Sequence, residues 1–208
     1  TVPLEKVETK EAGHPIPDEA GIAGAEEIAR ISNQAGERDL VFCLISGGGS
    51  ALLGSPAEGI TLQQRQAVTS ELLACGASIE EINTVRKHLS RVKGGQLARA
   101  CWPATVVTLI LSDVVGDPLD VIASGPTVPD SSTFGECLEI VNRYELTGQL
   151  PASVMQRIEA GAKGDLPETP KQGEKIFERV QNEVVGNSLS AVLAAGRKAE
   201  SLGYTPLI

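Results

Sequence analysis

The sequence has few of the residues that build metal clusters and disulfide frameworks. Its two histidines, His14 and His88, are too few and too far apart for a zinc cluster, so we expect structural roles for both. Its four cysteines include no Cys-x-x-Cys pair. Cysteines spaced in this way favour free thiols in a reducing compartment.

Long hydrophobic runs are also missing. No apolar run approaches the roughly 18 residues needed to cross a bilayer, and no basic-plus-apolar leader opens the chain. The net charge of −9 argues against a nucleic-acid or anionic-membrane surface, because phosphates would be repelled. We therefore expect a cytoplasmic protein without nucleic-acid or membrane partners, in which local basic residues meet any phosphate ligand.

The length of 208 residues suits one α/β domain with a substantial core. There is no internal repeat or low-complexity tract. The chain opens on Thr1 and stops at the apolar residues Leu207 and Ile208, and its only methionine is Met155. We therefore expect a segment of a longer protein.

A glycine-rich loop is the most informative feature. Six apolar residues, 40–45, predict a strand buried on both faces in a parallel sheet. The loop after it offers backbone amides and hydroxyls to an anion, through Ser46, Gly47, Gly48, Gly49 and Ser50. It is not a Walker A loop, and Leu52 stands where a dinucleotide fingerprint needs its third glycine. A strand-to-helix turn without a ligand remains an alternative.

Strand and helix patterns alternate along the chain, which predicts a parallel sheet with right-handed crossovers. The predicted strands are 7–9, 40–45, 105–111, 180–185 and 204–208. The predicted helices are 19–34, 61–75, 78–89, one beginning near 93–95, 132–144, 151–159 and one from 187 or 188 to 201. Residues 161–173 are expected to form a surface linker.

Two further segments carry charged side chains suited to phosphate chemistry. Residues 83–95 concentrate cations in an acidic protein, and Arg86, Lys87 and Lys93 could neutralise an anion at the glycine loop. Asp113 and Asp117 follow a predicted buried strand, where carboxylates can bind Mg²⁺ or accept a hydroxyl proton. The alternatives are a solvated helix face with a capping glycine, and acids that merely form a turn.

Five ordered motifs together resemble the larger N-terminal domain of the glycerate 2-kinase family, whose second domain is the MOFRL domain. The motifs are 13–21, 44–52, 83–90 with 93–95, 111–117 with 123–127, and 186–188. The resemblance spans nearly the whole chain and implies a three-layer Rossmann-like α/β domain. Residues 1–208 would be a partial N-terminal domain, truncated at both ends.

The resemblance also implies a reaction, the ATP-dependent phosphorylation of the 2-hydroxyl of D-glycerate, with Mg²⁺ assisting. Lys93, Arg86 and Asp113 would be catalytic, and Asp113 with Asp117 would hold the metal. The binding residues would be Ser46, Gly47, Gly48, Gly49, Ser50, Lys87, Ser124, Gly125, Thr127 and Asn187. A catalytic lysine in an upstream Gly-Lys-Ala motif and an arginine in the C-terminal domain lie outside these residues, so we expect this chain alone to be inactive.

Two other functions stay open. One is an NAD(P)-dependent hydroxypyruvate reductase, a name also used in this family, against which the missing third glycine counts. The other is a non-catalytic module that binds a small anion. The sequence does not decide between phosphorylation at carbon 2 and carbon 3, and it leaves the oligomeric state open, with a homodimer among the alternatives.

Overall fold

The computed structural model describes residues 5–207, which form an α/β domain around a parallel sheet. The helices and strands follow in the order α1 (Glu19–Ser32), β1 (Leu40–Ile45), α2 (Gly49–Leu52), α3 (Leu62–Ala74), α4 (Ile79–His88), α5 (Gln96–Cys101), β2 (Thr105–Ser112), α6 (Phe134–Arg143), α7 (Ala152–Ala162), β3 (Val180–Asn187) and α8 (Ser188–Ser201). Short 3₁₀ turns cover Ile122–Ser124 and Lys175–Arg179. The predicted fold class is confirmed.

The sheet places β2 between β1 and β3, and all pairs are parallel. Leu40 lies opposite Thr105, and Val106 lies opposite Val180. The carboxyl ends of all three strands therefore meet at one edge, as the sequence predicted. The glycine loop, the loop carrying Asp113 and the start of α8 all lie at that edge.

Local capping signals set the helix starts. Thr61, Ser78 and Thr133 each form a capping box with a Gln or Glu three residues later. Asp18 and Asn187 accept a hydrogen bond from the backbone three residues on and so begin α1 and α8.

The main hydrophobic core lies among helices rather than against the sheet. Helices α3, α4, α6 and α7 pack their apolar faces together, and the fully buried members include Leu72, Val85, Val141, Val154 and Ile158. Burying such side chains contributes roughly 1.5–3 kcal/mol each. This helical cluster holds α4, which carries Arg86 and Lys87.

The expectation that β1 is buried on both faces is wrong. Leu40, Phe42 and Leu44 are 53%, 61% and 75% exposed, whereas Val41, Cys43 and Ile45 are half-buried. The alternation arises because α1 and α5, which contact each other, flank β1 on the Cys43 side, and no described element packs over the other face.

Three other predictions also differ from the structure. Residues 7–9 and 204–207 form no strand, since β1 and β3 are the edges of the described sheet; Ile208 lies outside the described residues. Segment 161–173 begins within α7 and has no regular structure after Ala162, but Thr169 and Pro170 are buried because they pack beside Asp130. Within residues 5–207, no helix is both long enough and apolar enough to span a membrane.

Candidate functional site

The glycine loop forms the centre of a pocket at the carboxyl edge of the sheet. Gly48 has φ +83°, a left-handed conformation that glycine adopts without strain. The Gly49 amide donates a long 3.4 Å hydrogen bond to the Ser46 carbonyl. The amides of Gly47 and Gly48 donate to no other described residue, so they are available to a ligand.

The pocket has a volume of about 260 Å³. Its walls come from the loop 46–51, from His14 and Pro15, from Arg86 of α4, from 113–114 after β2 and from the 121–123 turn. A larger groove of about 440 Å³ between α1 and β1 shares Ser46, Gly47 and Gly49 with it, but its other walls are mostly apolar. The smaller pocket is therefore the one suited to an anion.

Two side chains lie so close to the loop that a side chain on Gly47 or Gly48 would have to displace them. A Cβ on Gly47 would lie 2.5 Å from Asp113 Oδ2, and one on Gly48 would lie 3.1 Å from His14 Cδ2. We expect a structural role for His14 from the sequence, whereas the structure places it in the pocket wall. The turn motif at residues 13–18 is the sequence feature that could have indicated a position of His14 near the site.

Ser50 is the hydrogen-bonding centre beneath the loop. Its Oγ receives Arg86 NH2 at 2.9 Å and Lys93 Nζ at 3.1 Å, and it lies 2.9 Å from Ser124 Oγ. Ser124 in turn donates to Asn83 Oδ1 at 3.3 Å. Because Ser124 uses its only proton there, the Ser50 hydroxyl donates to Ser124 and accepts from both cations.

Lys93 lies under the loop rather than in the pocket. It is completely buried, and its Nζ donates to the Ser50 carbonyl at 2.8 Å and to the Ala123 carbonyl at 3.4 Å. Burial, with the nearby Arg86 and Arg65, holds the pKa of Lys93 well below its ordinary value. Its charge therefore acts on the pocket through Ser50.

The other predicted cation, Lys87, points elsewhere. Its buried ammonium pairs with Asp130 Oδ1 at 3.2 Å, and Asp130 also accepts from Ser132 and Thr169. This buried network ties α4 to the segment before α6 and to the 161–173 segment. The binding role of Lys87 stays a prediction that this geometry does not favour.

His88, four residues along α4 from Thr84, is buried at the same helix end. Its Nδ1 lies 2.8 Å from the Thr84 carbonyl and its Nε2 lies 3.0 Å from Glu168 Oε2. This arrangement agrees with the structural role that we expected for His88.

Asp117 and Asn187 meet at the edge where β2 and β3 end. Asn187 Nδ2 donates to Asp117 Oδ2 at 2.5 Å. Hydrogen bonds from Ser112 and Asn187 lower the pKa of Asp117, so this carboxylate is ionised at neutral pH. Asp117 has φ +54°, a conformation uncommon outside glycine.

Of the predicted residues 124–127, some hold the segment that carries Lys93 beside the pocket, and Thr127 contacts the sheet. Ala123 and Ser124 have φ of +51° and +61°. Ser124 and Gly125 accept backbone hydrogen bonds from Gly94 and Gly95, which fixes the Lys93 segment. Thr127 lies outside the pocket, where it hydrogen-bonds Thr108 and Asn182 of the sheet.

Two acidic residues near the carboxyl edge of the sheet, Asp113 and Asp117, are the candidates for a metal site. Residues 5–207 contain no group of three or more His, Cys, Asp or Glu side chains that could hold a metal. Mg²⁺ commonly binds through one or two carboxylates together with substrate phosphates. The Asp113 carboxylate on the pocket wall and the ionised Asp117 fit such a donor set.

The parallel α/β fold, with free glycine amides and cations at its carboxyl edge, is of the Rossmann-like class. The chain belongs to the family described as a domain of unknown function, DUF4147, which matches residues 1–159. The predicted resemblance to the N-terminal domain of glycerate 2-kinases is confirmed by relatives that carry that name.

A glycerate 2-kinase from Pyrococcus horikoshii is 47% identical over 205 residues, which cover 99% of this chain and 46% of the relative. A crystal structure of a glycerate kinase from Thermotoga maritima matches with a TM-score of 0.86 at 45% identity, over 98% of this chain and 46% of that one. An Agrobacterium vitis relative with the provisional name of a hydroxypyruvate reductase is 47% identical over 100% of this chain and 45% of its own length. The chain thus spans about half the length of these relatives.

Proposed function

We propose that these residues are part of the N-terminal domain of a glycerate 2-kinase, and that the whole protein transfers the γ-phosphoryl group of ATP to the 2-hydroxyl of D-glycerate. The observation that carries the proposal is the contact of two cations, the buried Lys93 and the half-buried Arg86, with Ser50 of the glycine loop. Phosphoryl transfer calls for this combination of positioning and charge neutralisation. The names of the relatives supply the substrate.

The proposed roles follow from the positions of the side chains. The amides of Gly47 and Gly48 and the guanidinium of Arg86 receive the anionic group, and Lys93 adds charge through Ser50. The 2-hydroxyl oxygen forms a bond to the γ-phosphorus as the bond to ADP breaks. Asp113, on the same pocket wall, orients this hydroxyl and accepts its proton.

Asp113 and Asp117 are the residues of this chain that would hold Mg²⁺. The ion would neutralise charge on the phosphates of ATP. Asn187 and Ser112 keep Asp117 ionised and oriented for this role. Because the chain spans 46% of its Pyrococcus relative, we expect the remaining half of such a protein to supply further catalytic groups, and this chain alone to be inactive.

The test is an assay of the full-length protein with Mg-ATP and D-glycerate, in which NMR identifies the phosphoglycerate isomer. We expect 2-phosphoglycerate, with turnover reduced at least about a hundredfold in R86M. The control is R143M, because Arg143 is an exposed arginine on α6 that pairs with Glu81 outside the pocket. The 3-isomer, or equal turnover by R86M and R143M, would contradict the proposal.

The name of the Agrobacterium relative favours a second candidate, hydroxypyruvate reduction with NADH or NADPH. Leu52 at the third fingerprint position counts against it. Nicotinamide oxidation in the presence of hydroxypyruvate, with no phosphoryl transfer, would establish the reductase. A binding module, the third alternative, would bind glycerate or phosphate by calorimetry at full strength as this chain alone and would show no turnover in the full-length protein.

A further inference from the structure

A third cation, Arg65, lies close enough to Arg86 and Lys93 to affect the pKa of Lys93. It has no role in the proposed mechanism. Arg65 of α3 is 5% exposed. Its NH1 is buried without a hydrogen-bond partner among the described residues. A buried polar group left unpaired costs stability, so an unpartnered arginine inside a fold needs an explanation.

Arg65 belongs to a cluster that contains no acid. Arg65, Arg86 and Lys93 come from α3, from α4 and from the segment before α5, and no described carboxylate forms an ion pair with any of them. Arg65 contributes to the low pKa of Lys93, and burial followed by the charge of Arg86 lowers the pKa of Arg65 to about 10. The three side chains therefore interact electrostatically, and within the described chain their charge is not compensated.

This excess of positive charge lies next to the glycine loop, whose Gly47 and Gly48 amides donate to no other described residue. Arg86 lines the pocket, and both Arg86 and Lys93 contact Ser50 of that loop. Arg65 does not line the pocket, so it acts at a distance. An anion in the pocket would supply the negative charge that the protein itself does not place near the cluster.

We propose that Arg65 is a positioning residue that tunes the loop 46–50 for a doubly charged phosphoryl group over a singly charged anion. Arg65 does not touch the ligand. Its charge adds to that of Arg86 and Lys93 and so raises the positive electrostatic potential in the pocket. The inference rests on the proposed function only in placing an anion at this loop. It requires no phosphoryl transfer.

The proposal predicts opposite effects on stability and on binding. Replacing Arg65 by methionine keeps the apolar stem and removes an unpaired buried charge, so the ligand-free protein should melt at the same or a higher temperature. The same change removes one charge that favours the anion, so binding should weaken. An arginine with a purely structural role would behave differently, because its loss would lower the melting temperature and leave binding unchanged.

The experiment measures inorganic phosphate and acetate binding by calorimetry at pH 8, with thermal unfolding in anion-poor buffer, on the full-length protein and its variants. We expect R65M to bind phosphate roughly tenfold more weakly. Its acetate binding should weaken clearly less, and R65K should keep phosphate binding within about twofold because it keeps the charge. The control is R157M, since Arg157 is a partly buried arginine that donates to the His88 carbonyl. It should lose stability and keep phosphate binding.

Unchanged phosphate binding in R65M, or a lower melting temperature or failure to fold, would overturn the assignment. So would equal losses for phosphate and acetate. None of these measurements needs kinase turnover, so an inactive enzyme would refute the proposed function and leave this test intact. Absence of phosphate binding by the unsubstituted protein would refute the anion-binding loop and, with it, this inference.

Discussion

The ammonium of Lys93 donates a 2.8 Å hydrogen bond to the carbonyl of Ser50, and no carboxylate of the described chain balances its charge. The glycine loop is thus held from below by a side chain that burial and two arginines push toward its neutral form. The contact between Lys93 and Ser50 therefore both holds the loop in place and brings positive charge close to the pocket. The stability of the protein and its affinity for anions should therefore depend on the same group.

Stability should rise with pH through the titration range of Lys93. Its pKa is lowered in the folded state, while the unfolded chain keeps a value of about 10.4. Between these values the unfolded chain binds more protons, so the free energy of unfolding rises with pH, by at most about 1.4 kcal/mol per unit from this one group. This gain in stability is complete above the pKa that Lys93 has in the unfolded chain. It is lost as pH falls through the pKa that Lys93 has in the folded state.

Urea unfolding of the ligand-free protein and of K93M at pH 7 and pH 9.5 measures this effect. The unsubstituted protein should gain stability relative to K93M between the two values. Parallel pH profiles for the two proteins would show that Lys93 does not titrate in this range.

Removing the Ser50 hydroxyl should loosen the loop. In S50A, Arg86 and Lys93 each lose a hydrogen-bond acceptor and Ser124 loses a donor. We expect unfolding to become about 1–3 kcal/mol easier, because buried polar groups are left unsatisfied. Chemical denaturation measures the loss, with S70A on the exposed side of α3 as the control. A difference of less than a few tenths of a kcal/mol between the two variants would contradict the role of Ser50.

Local features of the fold, such as helix starts, could be predicted from the sequence. Which faces of the sheet are packed against helices could not. Capping boxes such as Thr61 with Gln64 depend on residues three apart, and the helix starts fall within two residues of those predicted. The exposure of Phe42 depends on which segments pack over β1, and the apolar run itself carries no information about them. The three strand ends were predicted to meet because parallel pairing requires it.

The same distinction applies to the site. The glycine loop, Arg86 and Asp113 come together in the pocket, since each follows or faces a strand end. Lys87 could not be distinguished from Lys93 in one basic segment, because its partner Asp130 lies 43 residues further along the chain. Arg65 carries no local signal on α3, and only its burial without a partner identifies it.

A methyl group on Gly47 should disturb the pocket without disturbing the fold. Its Cβ would lie 2.5 Å from Asp113 Oδ2, and Asp113 is an exposed side chain that can move aside. We expect G47A of the full-length protein to lose about tenfold or more in kcat, the size of effect that misplacing a catalytic group causes. Its melting temperature should stay close to that of the unsubstituted protein.

The control for this variant is G148A, because a Cβ at Gly148 meets no atom within 4 Å. Steady-state kinetics with Mg-ATP and D-glycerate, together with thermal melting, measure both properties. Full activity in G47A would remove Asp113 from the proposed site. A large drop in its melting temperature would assign the glycine to the fold rather than to the pocket.

The opposite behaviour is expected at Gly161, in the helical core. A Cβ there would lie 2.2 Å from Cγ of the Phe134 ring, which is itself buried against His88, so neither side can yield easily. We expect G161A to destabilise the protein by about 1–3 kcal/mol, the typical cost of overpacking a core. Urea unfolding measures this against G148A. If G161A alone is as stable as G148A, α6 and α7 do not pack as closely as the structure places them.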